Sequence, residues 1–178
     1  MLLLVDNGSV FTKDIANTLS NSGIKFDQKP SDQINLDDIS DYDSFILSGR
    51  RNNDSQMNAK NSKIILHAVN EKKKLLGICY GAEILALALG GTIRKSSVIR
   101  GEQEIISNDN TLCEGKNTVF ESHSYEISKL GSSLDVIAKS ENCKNEIVKH
   151  KELLIYGTQF HPKTVSYTHL TLPTILLV

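Results

Sequence analysis

The segment best suited to chemistry is the pentapeptide Gly77-Ile78-Cys79-Tyr80-Gly81. It joins a short apolar run, typical of a strand, to a longer apolar run, typical of a buried helix. Glycines two positions before and after the cysteine permit the sharp turn of a nucleophile elbow, which projects the central side chain outward. The positive end of the following helix favours the thiolate form. The pattern predicts a catalytic thiol, and the alternative is a structural cysteine at a strand end.

A cysteine nucleophile needs a general base, and His161 is the favoured candidate among the five histidines. Residues 155–160 have the pattern of a strand, so His161 falls at a strand end, where the active sites of α/β sheets form. Taken alone, His161 would be interpreted as a surface histidine before a turn. Its combination with Cys79 favours the catalytic interpretation.

Strands and helices alternate through the first half of the chain. The predicted strands are 2–5, 24–26, 44–47 and 75–78, and the predicted helices are about 11–22, a segment around 64–69, and 80–89. This alternation predicts an α/β fold with a mostly parallel central sheet and helices on both faces. The β-rich stretches that follow, which we expect to add antiparallel strands, are 98–106, 118–120, 134–138, 146–149 and 153–160.

Length and composition restrict the class of protein. The 178 residues fit one domain, and 20 basic against 21 acidic side chains give no support to a nucleic-acid or membrane-surface binder. No apolar run approaches the roughly 20 residues of a membrane span, and the first residues are too short for a signal-peptide core. Three cysteines do not suggest a disulfide framework, so we expect a reducing, cytoplasmic setting. No metal-ligand motif is present in the sequence.

Two separated motifs, 77–81 and 156–162, together resemble the class I (triad) glutamine amidotransferase family, whose fold is flavodoxin-like. The segments 5–8, 47–49 and 122–125 also occur in the family's order and rough spacing. The resemblance covers roughly residues 1–163. It implies a domain that hydrolyses glutamine to glutamate and passes ammonia to a synthase.

The resemblance also implies the catalytic roles. Cys79 would attack the side-chain amide of glutamine, while His161 would take the thiol proton and return it to the leaving ammonia.

The remaining implied site residues bind the substrate or the oxyanion. Backbone N–H groups of Tyr80 and of the Gly49–Arg50 loop would hold the oxyanion. Ser124 and Tyr125 would lie along the bound glutamine.

Three positions depart from the family pattern. Lys163 stands where the family has a triad glutamate, and its charge opposes formation of the imidazolium. Glu83 stands where glutamine is usual, and an ionised carboxylate one helical turn from Cys79 would raise the thiol pKa and repel a substrate carboxylate. The loop after the third strand carries Arg50 in place of a small residue, which would hinder a peptide rearrangement.

The last thirteen residues do not continue this pattern. We assign residues 1–165 to a glutamine amidotransferase domain and residues 166–178 to a tail outside the family pattern, with the character of a read-through or cloning scar.

Two branches of the family fit the chain. The favoured branch comprises glutaminase subunits that serve guanosine monophosphate (GMP) synthesis from xanthosine monophosphate. The other serves anthranilate or aminodeoxychorismate synthesis. A third interpretation, prompted by Lys163, is a non-catalytic regulatory module with the same fold.

The chain itself carries no pyrophosphatase or phosphate-binding loop motif. The resemblance therefore implies no cofactor here, with ATP and Mg²⁺ bound by a separate synthetase subunit that forms a heterodimer with this chain. Glutamine is the implied small-molecule partner, and neither nucleic acid nor a membrane is expected.

Overall fold

The computed structural model describes residues 1–109 and 112–162. Within them the elements alternate as the first half of the sequence predicts, and a β-rich second half follows. The elements are β1 (Leu2–Asn7), α1 (Thr12–Asn21), β2 (Phe26–Pro30), β3 (Ser44–Arg50), α2 (Ser55–Asn70), β4 (Lys74–Ile78), α3 (Tyr80–Ala88), β5 (Thr92–Asp109), β6 (Cys113–Lys129), β7 (Leu134–Ser140), β8 (Ile147–His150) and β9 (Ile155–Thr158). Two 3₁₀ segments, Ser31–Gln33 and Leu36–Asp41, lie between β2 and β3.

These strands form a single mixed sheet in the order β2-β1-β3-β4-β9-β8-β7-β5-β6. Neighbours from β2 to β9 pair in parallel, and neighbours from β9 to β6 pair antiparallel. The expected α/β class and the mixture of parallel and antiparallel strands are confirmed. The stretch 153–160 supplies β9, which pairs antiparallel with β8 as expected and also pairs parallel with β4, which the sequence did not predict.

Both faces of the sheet are covered, because successive apolar side chains of β1 point alternately to one face and to the other. Leu2 and Leu4 pack with Ile15 and Leu19 of α1. Leu3 and Val5 belong to a second core that contains the buried faces of α2 and α3. A strand that is buried on both faces usually has a continuous run of apolar residues, and β1 has such a run. No helix within the described ranges is long and apolar enough to cross a membrane.

The antiparallel half bends back toward the carboxyl ends of the parallel strands. Strand β6 is the last strand in the sheet order, yet Phe120 forms an isolated antiparallel bridge with His161, just beyond β9. The backbone N–H of His161 donates to the carbonyl of Phe120 over 2.9 Å. This bridge brings the middle of β6 to the edge of the sheet where β4 and β9 end.

Candidate active site

Cys79 sits on a strained turn between β4 and α3. Its backbone has φ 52° and ψ −105°, a positive φ that L-residues rarely adopt. Both flanking glycines are required by close backbone contacts: a Cβ at Gly77 would lie 2.4 Å from the carbonyl oxygen of Gly81, and one at Gly81 would lie 2.3 Å from that of Leu47. The predicted nucleophile elbow is the local structure that the sequence adopts.

His161 reaches the same edge of the sheet from the neighbouring strand. The pair Ile78 and Thr158 is in register, and the N–H of Cys79 donates to the carbonyl of Thr158 over 2.7 Å. His161 follows three residues later and is buried, with its ring 4.2 Å from the ring of Phe11 between centroids. Its Cε1 atom also lies 3.2 Å from the position that a Cβ on Gly49 would occupy. A side chain at position 49 would therefore crowd the imidazole.

The thiol and the imidazole share one neighbour, the backbone of Ser122 in β6. The Cys79 thiol donates to the Ser122 carbonyl over 4.0 Å, and the backbone of the same residue lies close enough to the His161 ring to raise its pKa. Two side chains that are 82 positions apart in sequence thus converge on a single peptide unit. The arrangement can support proton transfer between sulfur and nitrogen once a substrate displaces the thiol from that carbonyl.

A cavity of about 210 Å³ opens beside Cys79. It is smaller than the roughly 300–1,000 Å³ of cavities that hold drug-sized ligands, which suits a single amino acid. Its lining includes six of the predicted site positions, together with Arg51, Asn53, Ser122 and His123; the six are Arg50, Cys79, Tyr80, Glu83, Ser124 and Tyr125. Gly49 and His161 lie next to one another at this edge of the sheet, and neither lines the cavity.

The thiol is less acidic than its position at a helix terminus suggests. Burial, and after it the charge of Glu83, raises the pKa of Cys79 well above its ordinary value of 9.0. A hydrogen bond with the backbone of Tyr80 and the charge of Arg50 act in the opposite direction. Burial in the unliganded site therefore opposes the thiolate that the helix terminus was expected to favour.

The imidazole is neutral in this environment. Burial, and then the nearby His123, lowers the pKa of His161 to about 4, while Glu121 and the hydrogen bond to Ser122 oppose that shift. Within residues 1–109 and 112–162, Nδ1 of His161 is buried and has no hydrogen-bond partner. Lys163, which was predicted to stand in place of the family's triad glutamate, lies outside the described residues.

Glu83 is buried on the first turn of α3 and belongs to a hydrogen-bonded link across the site. Its carboxylate accepts from the side-chain amide of Gln159 over 3.2 Å, and the same amide donates to the carbonyl of Tyr125 over 3.3 Å. Burial raises the pKa of Glu83, although Gln159 and Arg50 act against the shift. Through Gln159, Glu83 is thereby linked to the Tyr125 carbonyl of β6.

Arg50 lines the cavity, in addition to being part of the loop that was predicted to hold the oxyanion. The guanidinium carbon lies 4.4 Å from the centroid of the Tyr80 ring, a cation–π contact. The hydroxyl of Tyr80 donates to Asn58 over 2.7 Å, and Arg50 donates to the same amide oxygen over 3.3 Å. A fixed cation therefore faces the cavity, where it could attract a substrate carboxylate.

Several residues of the site could not be assigned a role from the sequence. Ser122 acts through its backbone carbonyl, which leaves no trace in residue type. Gln159 was visible only as part of a motif, and Glu121 and Glu146 become relevant only because β6 and the segment before β8 bury them near His123. The available signal in the sequence for these site residues was the presence of acidic residues within a β-rich stretch.

A larger cavity, of about 400 Å³, lies at the start of α2 and is separate from this chemistry. Its lining includes Asn7, Asp32, Asp54 and Lys60, but neither Cys79 nor Glu83. Size alone therefore does not identify the candidate active site, whereas the elbow and its neighbouring histidine do.

The fold and the site together define a class of protein. The family model for class I glutamine amidotransferases matches residues 3–173. The chain belongs to this family.

Its relatives are consistent with one branch of the family. One of them, named as a subunit of the glutamine-hydrolysing GMP synthase of Pyrococcus furiosus, is 33% identical over 177 residues, a match covering 95% of this chain and 92% of the relative. The GMP synthase of Francisella philomiragia is 30% identical over 175 residues, and the match covers 92% of this chain but 32% of that longer protein. A crystal structure from Thermoplasma acidophilum, assigned to a GMP synthase subunit, superposes with a TM-score of 0.82 at 26% identity, covering 99% of this chain and 88% of that one.

Proposed function

We propose that the chain is the glutaminase subunit of a two-subunit GMP synthase, hydrolysing glutamine and delivering ammonia to a separate synthetase subunit. The observation that carries the proposal is the convergence of Cys79 and His161 on the Ser122 backbone, on a strained elbow beside an amino-acid-sized cavity. Relatives named as single subunits of GMP synthase, matched along nearly their whole length, support the same assignment.

The chemistry begins from an uncharged pair. Burial keeps Cys79 a thiol and His161 a neutral imidazole, so the thiol proton moves to His161 as sulfur attacks the amide carbon of glutamine. The new C–S bond forms a tetrahedral oxyanion. The C–N bond then breaks, His161 returns the proton to nitrogen, and ammonia leaves behind a thioester on Cys79. Water hydrolyses the thioester, giving glutamate and regenerating the thiol.

Backbone and side-chain groups around the cavity would hold the substrate. The N–H of Tyr80, which already interacts with the Cys79 sulfur, is the first oxyanion donor, and the Gly49–Arg50 loop would supply the second. Losing one such donor typically costs about 3–4 kcal/mol of transition-state stabilisation. The guanidinium of Arg50 is placed to attract the substrate carboxylate, while Ser124 and Tyr125 line the cavity wall.

Glutamate release by the purified chain, with and without its synthetase subunit, tests the proposal. We expect release that depends on Cys79 and increases when the synthetase is present. With xanthosine monophosphate and Mg–ATP, glutamine should support GMP formation. Cys79→Ala should abolish the glutamine-dependent reaction but leave synthesis from added ammonium intact. Release that persists unchanged in Cys79→Ala would contradict the proposal, and ammonia transfer to chorismate instead would assign the chain to the other branch.

A second function, that of a non-catalytic module with the same fold, is favoured by one observation. The buried Nδ1 of His161 has no partner among the described residues, and the pKa of about 4 leaves the imidazole a weak base. This interpretation predicts that the natural chain releases almost no glutamate.

Lys163→Glu separates the two functions, with Lys163→Gln as a control that removes the positive charge without adding a carboxylate. If the site is deficient in a triad carboxylate, Lys163→Glu should raise kcat more than Lys163→Gln does. It should also move the acid limb of the kcat/KM profile to higher pH, since a carboxylate raises the pKa of His161. Normal turnover by the natural chain would eliminate the non-catalytic function.

A further inference from the structure

A row of buried polar side chains beneath the cavity has no part in the steps above. Glu121 and Glu146 are fully buried, and His123 is 7% exposed. Nε2 of His123 contacts a carboxylate oxygen of Glu121, and Nδ1 lies 2.9 Å from the carbonyl oxygen of Tyr125. Glu146 lies next to Glu121, and neither of its carboxyl oxygens has a hydrogen-bond partner among the described residues. Burying this many ionisable groups costs free energy of folding unless they are paired. Their arrangement therefore suggests that they have a function.

The hydrogen bonds themselves fix where the protons are. A carbonyl oxygen only accepts, so Nδ1 of His123 must carry a proton and donate to Tyr125. Nε2 and Glu121 then share a second proton, which gives either an imidazolium–carboxylate pair or its neutral equivalent. Burial, followed by the interaction with Glu121, raises the pKa of Glu146 to about 9. Glu146 is therefore protonated at neutral pH, which limits the charge buried beside Glu121.

The row holds one end of a short β6 segment that faces the reacting groups. Within residues 122–125, the Ser122 carbonyl contacts Cys79, and Ser124 and Tyr125 line the cavity. The Tyr125 carbonyl accepts from both His123 and Gln159. Two buried donors on a single carbonyl fix the rotation of that peptide, and the peptide orientation in turn sets the cavity wall.

We propose that His123 is a positioning residue for the glutamine site: oriented by Glu121, with Glu146 behind it, it anchors the Tyr125 carbonyl and so holds segment 122–125 in the geometry that binds substrate. This inference rests on the proposed function and assigns residues to it. His123 acts through the backbone of Tyr125 and does not contact the reacting atoms. Its loss should therefore weaken glutamine binding more than it slows the chemical step.

The test compares variants that remove or preserve the row, each assayed in the complete complex with the synthetase. Glu121→Leu and His123→Phe remove the orienting bonds but retain bulk. We expect the KM for glutamine to rise about tenfold or more while kcat changes less than about threefold, the signature of lost uniform binding. Glu121→Gln keeps an acceptor for His123, and its KM should stay within about threefold of the natural value.

Glu126→Gln is the matched control, because Glu126 is another buried carboxylate of β6, paired with Arg94 and not with His123. It should leave the KM for glutamine unchanged, whatever it does to thermal stability. The positioning role would be overturned by a fall in kcat at constant KM, or by Glu121→Gln behaving like Glu121→Leu. Either result would show that charge near His161, and not the hydrogen-bonded geometry, is what matters. If Glu121→Leu fails to fold, His123→Phe and Glu121→Gln still decide the question.

Glutamine binding to the Cys79→Ser protein, measured by calorimetry, separates failure of this inference from failure of the proposed function. Binding without turnover in the natural chain would overturn the function alone, and the Kd of Cys79→Ser/His123→Phe would then test the positioning role. An unchanged Kd for glutamine in that double variant would overturn the positioning role of His123 but would leave the proposed glutaminase function supported. No binding to Cys79→Ser at all would overturn both.

Discussion

Cys79 combines a strained backbone with a thiol that resists ionisation. The positive φ costs free energy, of the order of 1–3 kcal/mol for a non-glycine residue, and persists because the surrounding packing leaves no alternative. The elbow could be predicted from Gly77, Cys79 and Gly81 alone. The raised pKa of the thiol could not, because desolvation depends on what β6 and α3 place over the sulfur.

Glu83→Gln tests the electrostatics of the thiol directly. The charge of Glu83 is the largest cause after burial of the raised pKa of Cys79, so its removal should lower that pKa and speed alkylation. The measurement is the rate of iodoacetamide labelling at Cys79 between pH 7 and 9, followed by mass spectrometry because Cys113 and Cys143 are also free thiols.

Glu152→Gln serves as the control, since this exposed glutamate lies before β9, away from the elbow. It should leave the labelling rate unchanged. Equal labelling rates in the natural chain and in Glu83→Gln would mean that Glu83 is already neutral across this pH range.

At the scale of elements, the β4–α3 turn is tightly constrained by its backbone contacts. Residues Gly77 and Gly81 allow strand and helix to approach more closely than any side chain would permit. Gly157 of β9 is nearly as restricted, because a Cβ there would lie 2.9 Å from Ala82 and from Val148. The glycines thus set the distance between α3 and the two strands that carry the catalytic pair.

Gly81→Ala should destabilise the protein strongly, because its Cβ would overlap the backbone of β3, which cannot rotate away. We expect a loss of at least about 3 kcal/mol in the free energy of unfolding, measured by urea denaturation, the upper end of the usual cost of overpacking.

Gly23→Ala is the comparison variant, since Gly23 has φ +70° but open space around its Cβ position. It should cost only the left-handed backbone penalty of about 1–2 kcal/mol. Equal costs for the two variants would mean that the turn relaxes to admit a methyl group.

One strand pairing was missed, the parallel pairing of β9 with β4, and the reason is physical. The stretch containing β9 is short and apolar, and its sequence neighbours β7 and β8 are antiparallel. Sequence order therefore suggested another antiparallel addition. Residues of β9 pair with β4, some 80 residues earlier in the chain, and nothing in local periodicity reports such a distant partner.

For the molecule as a whole, buried ionisable groups link stability to pH. The pKa of Glu146, raised to about 9 from 4.5, means that the folded chain holds a proton that the unfolded chain releases above pH 4.5. This contribution to stability is therefore present at low pH and is lost as pH rises toward 9. His161, lowered to about 4 from 6.5, has the opposite effect but only between pH 4 and 6.5.

Between pH 6.5 and 8.5 the Glu146 effect should therefore dominate, and the free energy of unfolding should fall with rising pH. One proton contributes a slope of at most about 1.4 kcal/mol per pH unit. Urea denaturation at three pH values measures the slope. Glu146→Gln should flatten it, whereas Glu71→Gln, at an exposed position on the α2–β4 turn, should not. A slope that survives in Glu146→Gln would mean that another group carries the linked proton.

The sequence by itself determined the alternation of strands and helices in the first half of the chain, the elbow at Cys79 and the choice of His161, because these depend on residue type and on local or strand-end spacing. Only the tertiary structure decided that β6 returns over the ends of β4 and β9. That return brings the Ser122 backbone close to both the sulfur and the imidazole and buries the Glu121–His123 pair. Contacts between distant strands, and the pKa shifts that their burial causes, come from long-range packing, which no local pattern of residues encodes.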